Sequence, residues 1–532
     1  MQPETGSSPE SSGPHGGVIV ADGIQELNYA HGAHADLRRS FHYSEDLAPT
    51  TRAHRKWGMK DIAALWISMS ACVPTYMLAS SLIEGGMNWW QAVLTIFLAN
   101  VIVLLPMIAN AHAGTKYGIP FPVYCRASFG LLGANVPALL RALVACGWFG
   151  IQTWIGGWAI YHILAIYFPG WKDLPNIPVL DINAMQLACF LFFWAINIFV
   201  IYRGIESIRI LLNIKAPLLI ILGLLLLAWA YQQANGFGPM LNQPSQFDDG
   251  QTRAGQFWRF FFPALTANVG FWATLSLNIP DFSRYAYSQR DQIVGQALGL
   301  PTTMALYSFI GVAVTSATVV IYGEAIWDPV ILVSKFTNKI VLAVALFSLC
   351  LATLATNIAA NVVSPANDFA HLAPRKISFR TGGLITGLIG IAMMPWKLVA
   401  DPTGYIFTWL IAYSALLGAV GGILIADYFI IRRKQLDLAG LYRENGPYWY
   451  SGGFNIRALV ALAAGIAPCI PGFLGTVTTS VQVRPFWIEL YHYAWFLSFA
   501  LAFVVYVVLM SALRHKPAAR AFGTQSMGNA GR

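Results

Sequence analysis

Charged side chains are scarce in this sequence. Asp, Glu, Lys and Arg make up 11% of its 532 residues, against about 25% in soluble domains, while 56% are hydrophobic. That balance excludes a soluble globular protein and leaves a polytopic membrane protein. Cysteine is sparse as well. Cys72, Cys125, Cys146, Cys189, Cys350 and Cys469 include no C-x-x-C pair, and most fall in or beside apolar runs. Small core residues fit that pattern better than a disulfide framework or a metal site. Paired acids inside the apolar runs, an H-E-x-x-H motif and a Ser/His pair at plausible spacing are all missing, which argues against a membrane-embedded enzyme. No apolar signal-peptide core opens the chain. Residues 1–56, rich in Gly, Ser, Pro, His and Glu, predict a disordered cytosolic tail.

What charge there is reads as topology. The formal net charge of +9 is carried in short loops between apolar runs, as the positive-inside rule requires, so it implies a lipid bilayer as partner and no nucleic acid. Twelve runs of membrane-spanning length are predicted near 58–84, 91–112, 134–168, 183–203, 206–231, 256–279, 293–323, 338–366, 381–397, 403–431, 456–475 and 488–513. Arg52, Arg55, Lys56 and Lys60 precede the first and fix the amino terminus inside; an even count then puts both termini in the cytosol of a cell-membrane protein. The loops that fall inside carry Lys116 and Arg126, Arg284 and Arg290, Arg375, Lys376 and Arg380, and Arg432, Arg433 and Lys434. Those outside carry fewer.

Two spans contain helix-breaking chemistry near their midpoints. In span one, Pro74 removes an amide hydrogen and frees a carbonyl; in span six, Gly270 permits backbone angles that other residues resist. Interrupted helices at matching positions of two five-helix halves point to a transporter with a midplane site, and a closed site of that kind differs from the continuous pore of a channel. Span three offers a surface for such a site. Trp148 and Gln152 stand four residues apart and share a helix face, setting a flat indole beside a group that both donates and accepts. The same residues, with Trp154, would equally serve as packing and interhelical glue. Span eight carries a polar stripe, Thr353, Asn357 and Asn361, with Thr356 beside it. It must face the bundle interior, to bind substrate and ion or to bond other helices. Just past span six, Asp281 lies close enough in sequence to Arg284 for a loop ion pair.

These residues carry a resemblance. The runs Asp46-Leu-Ala-Pro-Thr-Thr51, Gly118-Ile-Pro-Phe-Pro-Val123, Trp148-Phe-Gly-Ile-Gln-Thr-Trp-Ile-Gly156, Ala355-Thr-Asn-Ile-Ala-Ala-Asn-Val-Val-Ser-Pro365, Met393-Met-Pro-Trp396 and Ala426-Asp-Tyr-Phe-Ile-Ile-Arg-Arg-Lys434 resemble the nucleobase:cation symporter-1 family. The resemblance implies an all-α LeuT-type fold: spans one to five (57–231) and six to ten (232–431) as inverted repeats, spans eleven and twelve (432–513) peripheral, and 514–532 a cytosolic tail. It implies a secondary active importer of a planar nitrogen heterocycle, with no cofactor and no obligate protein partner. Trp148 and Trp272 look like the indoles that sandwich the ring, with Gly270 at the break beside them; Gln152 and Asn361 look like the amides that read its edge.

For the coupling ion, the family's sodium ligands map onto carbonyls at Ser68, Ala71 and Ala352 and onto two hydroxyl positions of span eight. One of these is Thr356. The other is Ala355, which has no side-chain oxygen, and a hard cation needs several. Lys215, about 14 Å into span five, resembles the lysine that replaces sodium in proton-driven relatives of this fold; with a later helix start it would instead snorkel to the headgroups. Proton coupling is therefore expected ahead of sodium.

Overall fold

Span one is broken where the sequence places Pro74. Its first half, Met59–Ser70, stops at Ala71, whose ψ of 89° leaves the helical region, and Cys72 is extended. Val73–Glu84 then resumes the helix at an angle of 58°. Pro74 sits in the opening turn of the second half, where its missing amide hydrogen costs no helix bond.

In the computed structural model, residues 18–21, 23–27, 35–203, 205–402, 404–444, 446–478 and 480–512 are described; at 18–21, 35–36, 205–217 and 407 only the backbone is. Among them, eight helices, or nine counting the bent pair of span one as a single crossing, are long and apolar enough to cross a bilayer. Besides span one they are Trp89–Tyr117, Asn135–Ala165, Ala184–Arg203, Gln289–Tyr322, Lys339–Leu372, Gly404–Ile431, Ile456–Val477 and Ala494–Ser511. They fall on expected spans two, three, four, seven, eight, ten, eleven and twelve. The other three expected spans coincide with Ile205–Gln233, with Phe257–Phe271 followed by Ala273–Asn278, and with Phe379–Ala392.

The helices sort into two groups. Gln289–Tyr322 lies against both halves of span one and against span two, and both pieces of span six also pack on span two. Asn135–Ala165 lies against spans four and nine and against both Lys339–Asn361 and Val363–Leu372 of span eight. Spans one, two, six and seven thus form one bundle, and three, four, eight and nine the other. Each helix shares its bundle with the helix five places later.

Span six breaks later than Gly270. Phe257–Phe271 continues through it and ends at Trp272 (φ −101°, ψ 7°), and Ala273–Asn278 follows. A Cβ at Gly270 would stand 2.9 Å from the Leu410 carbonyl oxygen and from the Ser414 Cβ. The glycine is there for the close approach of span ten, and its backbone freedom is unused.

The amino-terminal segment corrects an expectation. Val18–Ala21 (β1) and Ile24–Leu27 (β2) form an antiparallel hairpin, and Ala35–Arg39 is helical. Leu27, Leu37 and Leu47 are buried in the main core. The Arg55 guanidinium ties the segment to the body, donating to the carbonyls of Thr50 (2.9 Å), Thr115 (2.9 Å) and Gln25 (3.2 Å). A few well-spaced apolar side chains and one buried arginine anchor it against a polar composition. Residues 1–17 and 28–34, and the carboxy-terminal tail at 514–532, lie outside the described residues.

Candidate functional site

The two breaks and the polar stripe of span eight meet at one small cavity of about 30 Å³. Its walls are Met69, Cys72 and Pro74 at the break of span one; Trp148 and Gln152 of span three; Phe271, Trp272, Thr274 and Leu275 at the break of span six; and Thr356, Ala360 and Asn361 of span eight. Ligand pockets commonly measure roughly 300–1,000 Å³, so a ring enters this one only when the walls part. Of the expected substrate residues, Trp148, Gln152, Trp272 and Asn361 come together here. Gly270 does not line the cavity; it packs on span ten behind it.

Aromatic rings make up one side. Phe271 stands edge-on between the two indoles, 5.2 Å from Trp148 and 5.1 Å from Trp272 by ring centroids, and Trp66 meets Trp272 edge-to-face at 5.3 Å. Trp148 is held from behind by Tyr405, Trp409 and Tyr413 of span ten, and its Nε1 donates to the Tyr413 hydroxyl at 3.3 Å. Sequence reasoning missed those three residues. Their four-residue spacing, which puts an aromatic face on one side of a helix, was the available signal. Trp154 points elsewhere, stacked on Trp158 and against Trp396.

Hydrogen bonding at the cavity is incomplete. Among the described residues, Gln152 Oε1 and Trp272 Nε1 are buried without a partner, a state that is costly unless a ligand or water completes it. The stripe on span eight divides into two roles. Asn357 is fully engaged, donating to the Phe149 carbonyl (3.2 Å), Thr153 (3.0 Å) and Asn197 (3.1 Å), and so binds spans three, four and eight together. Asn361 donates to Asn357 at 3.0 Å, which fixes its amide and leaves its oxygen as acceptor.

The expected ion ligands lie on adjoining elements. The helix of span one ends at Ser70, two residues past Ser68, and Ala71 forms the break. This half-helix packs on span eight, where the Thr356 hydroxyl donates to the Ala352 carbonyl at 2.9 Å. Ala355 is buried beside them. Span five packs against both the first half of span one and span eight. Lys215 falls ten residues past its start at Ile205, about 15 Å along the axis; its side chain lies outside the described residues.

Asp281 does not pair with Arg284. Its carboxylate accepts from the Phe121 amide (2.8 Å) and the Ser364 hydroxyl (2.7 Å), and Ser364 also contacts Asn278. Close by, Arg141 bonds Asp368 at 3.2 Å with both side chains wholly buried. Loop proximity to Arg284 misled because the chain turns Asp281 into the core, while Arg284 donates to the Asp46 carbonyl and the Tyr285 hydroxyl. The network joins span six of one bundle to spans three and eight of the other.

Residues 49–498 match the family described as permease for cytosine/purines, uracil, thiamine, allantoin. The chain belongs to this permease family. It is 45% identical over 475 residues to a purine-uracil permease of Arabidopsis thaliana, covering 89% of this chain and 78% of that one. It is 40% identical to an allantoin permease of Bacillus subtilis, covering 90% and 95%. Among solved structures it superposes with a TM-score of 0.71 and 25% identity on Mhp1, a nucleobase-cation-symport-1 family transporter in a closed conformation with bromovinylhydantoin bound, covering 88% of this chain and 96% of that one. The permease is therefore a multi-pass, all-α membrane transporter of LeuT-type fold and a cation symporter of the nucleobase class, not an enzyme.

Proposed function

We propose that this permease imports a planar nitrogen heterocycle such as allantoin, hydantoin, uracil, cytosine or a purine, with both termini in the cytosol. The observation that carries the reading is the cavity where Trp148 and Trp272 line the walls beside Gln152 and Asn361. Indoles offer flat faces worth about 0.5–1.5 kcal/mol each beyond area burial. The Gln152 oxygen, without a partner among the described residues, and the Asn361 oxygen suit ring N–H groups. A charged amino acid finds no counter-ion in that lining. The names of the purine-uracil and allantoin relatives support the substrate class.

Transport then follows from the two bundles. The bundle of spans one, two, six and seven rocks against that of three, four, eight and nine, as inverted repeats over 57–231 and 232–431 would allow, with 432–513 peripheral. Separation at the Asp281–Ser364 and Asn278 contacts opens one side, and separation of the aromatic wall from span ten opens the other. The coupling ion acts where spans one, five and eight adjoin. With Ala355 in place of an oxygen ligand, a protonated Lys215 holds spans one and eight together. The second reading keeps sodium there on the carbonyls of Ser68, Ala71 and Ala352 and the Thr356 hydroxyl, which the break at Ala71, on a half-helix packed against span eight, favours.

The test is uptake of a labelled panel of these heterocycles into cells that lack their own permeases. Saturable accumulation of at least one is expected, and failure of all of them against a verified level of membrane protein would overturn the reading.

A further inference from the structure

A cavity far larger than the substrate site opens on the flank of the protein between its two bundles. It measures about 680 Å³ and lies where span seven finishes at Tyr322 and span eight begins after Asn338, the outer end on the topology proposed above. Val73 and Tyr307 come from one bundle, Val344 and Leu349 from the other, and span five adds a third wall from Leu219 to Gln233. Val344 is 59% exposed and Leu225, also in the lining, 61%, so the mouth of the groove faces the acyl chains of the bilayer.

The dimensions of the groove are those of one leaflet. Along span eight its lining runs from Asn338 to Leu349, about 16 Å, and along span seven from Tyr307 to Tyr322, about 22 Å; half of a hydrocarbon core is about 15 Å. Its inner end is Val73, the chain neighbour of Cys72 in the substrate cavity. The body is lined by aliphatic and aromatic side chains, and Gln233, Lys335, Thr337 and Asn338 gather at the outer end. Apolar space of this size does not hold water, and left unfilled it forfeits dispersion contacts along every wall. The polar end presents both signs of charge. Lys335 Nζ stands 2.9 Å from Glu324 Oε1 and 4.8 Å from the centre of the Tyr322 ring. Asn338 uses its side-chain oxygen to cap span eight, accepting from the amides of Ile340 and Val341 at 3.0 and 3.2 Å, which leaves its NH2 group as a donor.

We propose that this groove binds a zwitterionic phospholipid with a primary ammonium headgroup, of the phosphatidylethanolamine type, with one acyl chain lying between the bundles. Lys335 and Asn338 donate to the phosphate and Glu324 accepts from the ammonium, so the side-by-side pair of opposite charges is matched by the two charges of the headgroup. A choline headgroup carries the same charges but has no N–H to donate, and it loses the bond to Glu324. Because the walls belong to different bundles, rocking changes the width of the groove. A chain seated in it therefore favours the arrangement in which the substrate cavity is small.

The experiment titrates the delipidated full chain in detergent with phosphatidylethanolamine, phosphatidylcholine and phosphatidylglycerol of identical acyl chains and reads bound lipid by native mass spectrometry, with the unfolding temperature checking that each variant is folded. The ethanolamine lipid is expected to bind about fivefold more tightly than the choline lipid. Glu324→Ala should level that preference, and Lys335→Gln should weaken both lipids about fivefold. Leu225→Trp and Val344→Trp fill the groove from two different helices, and each should weaken every lipid by about tenfold or more. Leu105→Trp, on a face of span two that is 68% exposed, is the control and should change nothing. Equal binding of the ethanolamine and choline lipids by the parent protein, or tighter binding of phosphatidylglycerol, would overturn the headgroup assignment. Undiminished binding in a folded groove-filling variant, or an equal loss in Leu105→Trp, would overturn the site.

Discussion

Trp148 donates its indole hydrogen to Tyr413 across the interface between spans three and ten, so the flat wall of the cavity is oriented from behind by a residue outside the cavity lining. Removing the wall and removing its support should have different sizes. Trp148→Ala and Trp272→Ala are each expected to weaken uptake at least tenfold with membrane expression intact. Tyr413→Phe, which loses one neutral hydrogen bond of about 1 kcal/mol, should raise the half-saturation concentration only about fivefold. Trp154→Ala is the control, since that ring stacks on Trp158. Equal damage from Trp154→Ala in a transport assay would reduce the aromatic cluster to a packing seam.

Gln152 is expected to choose among rings. A site built to pair a polar edge rejects analogues that leave its amides unpaired. Gln152→Glu exchanges the amide donor for a second acceptor and should reorder a panel of heterocycles in competition assays. A uniform fall in affinity with the order kept would show that this amide does not read the ring.

Cys72 is positioned to report occupancy. All six cysteines are buried, but Cys72 lies at the break of span one and lines the substrate cavity. A small methanethiosulfonate reagent should inhibit transport in cycling protein, substrate should slow the inactivation several-fold, and Cys72→Ser should be resistant. Inactivation of Cys72→Ser at the parental rate would place the reactive thiol elsewhere.

The wholly buried Arg141–Asp368 pair should behave as a buried ion pair does. Asp368→Ala strands a guanidinium in the core, at a cost of about 3–5 kcal/mol, visible as lost expression or a lower unfolding temperature. Combining it with Arg141→Met should recover much of that stability. No recovery in the double variant would mean that the pair is held by the wider network of Asn278 and Ser364 and does not act as a unit.

Three of the cavity's residues were legible in sequence because four-residue spacing on apolar helices is a strong signal: Trp148 with Gln152, and Asn361 with the stripe that contains Asn357. What the spacing could not reveal was the division of labour along that stripe, since only the packing of spans three and four commits Asn357 to Thr153 and Asn197. The break of span one was legible because proline dictates backbone; that of span six was displaced from Gly270 to Trp272 because glycine permits a break without requiring one. Tyr413 was missed because its spacing with Tyr405 and Trp409 marks an aromatic face without telling which helix that face meets, and the amino-terminal segment was misread because composition averages away the few side chains, Leu27, Leu37 and Leu47, that anchor it.

Coupling at the junction of spans one, five and eight is tested most directly by reconstitution. Purified protein in proteoliposomes would be given a labelled heterocycle with either an inward proton gradient or an inward sodium gradient. The expected result is accumulation above equilibrium driven by the proton gradient, abolished by a protonophore, indifferent to replacing sodium with potassium or choline, and lost in Lys215→Ala while substrate exchange persists. Accumulation that requires sodium and is unaltered in Lys215→Ala would contradict it.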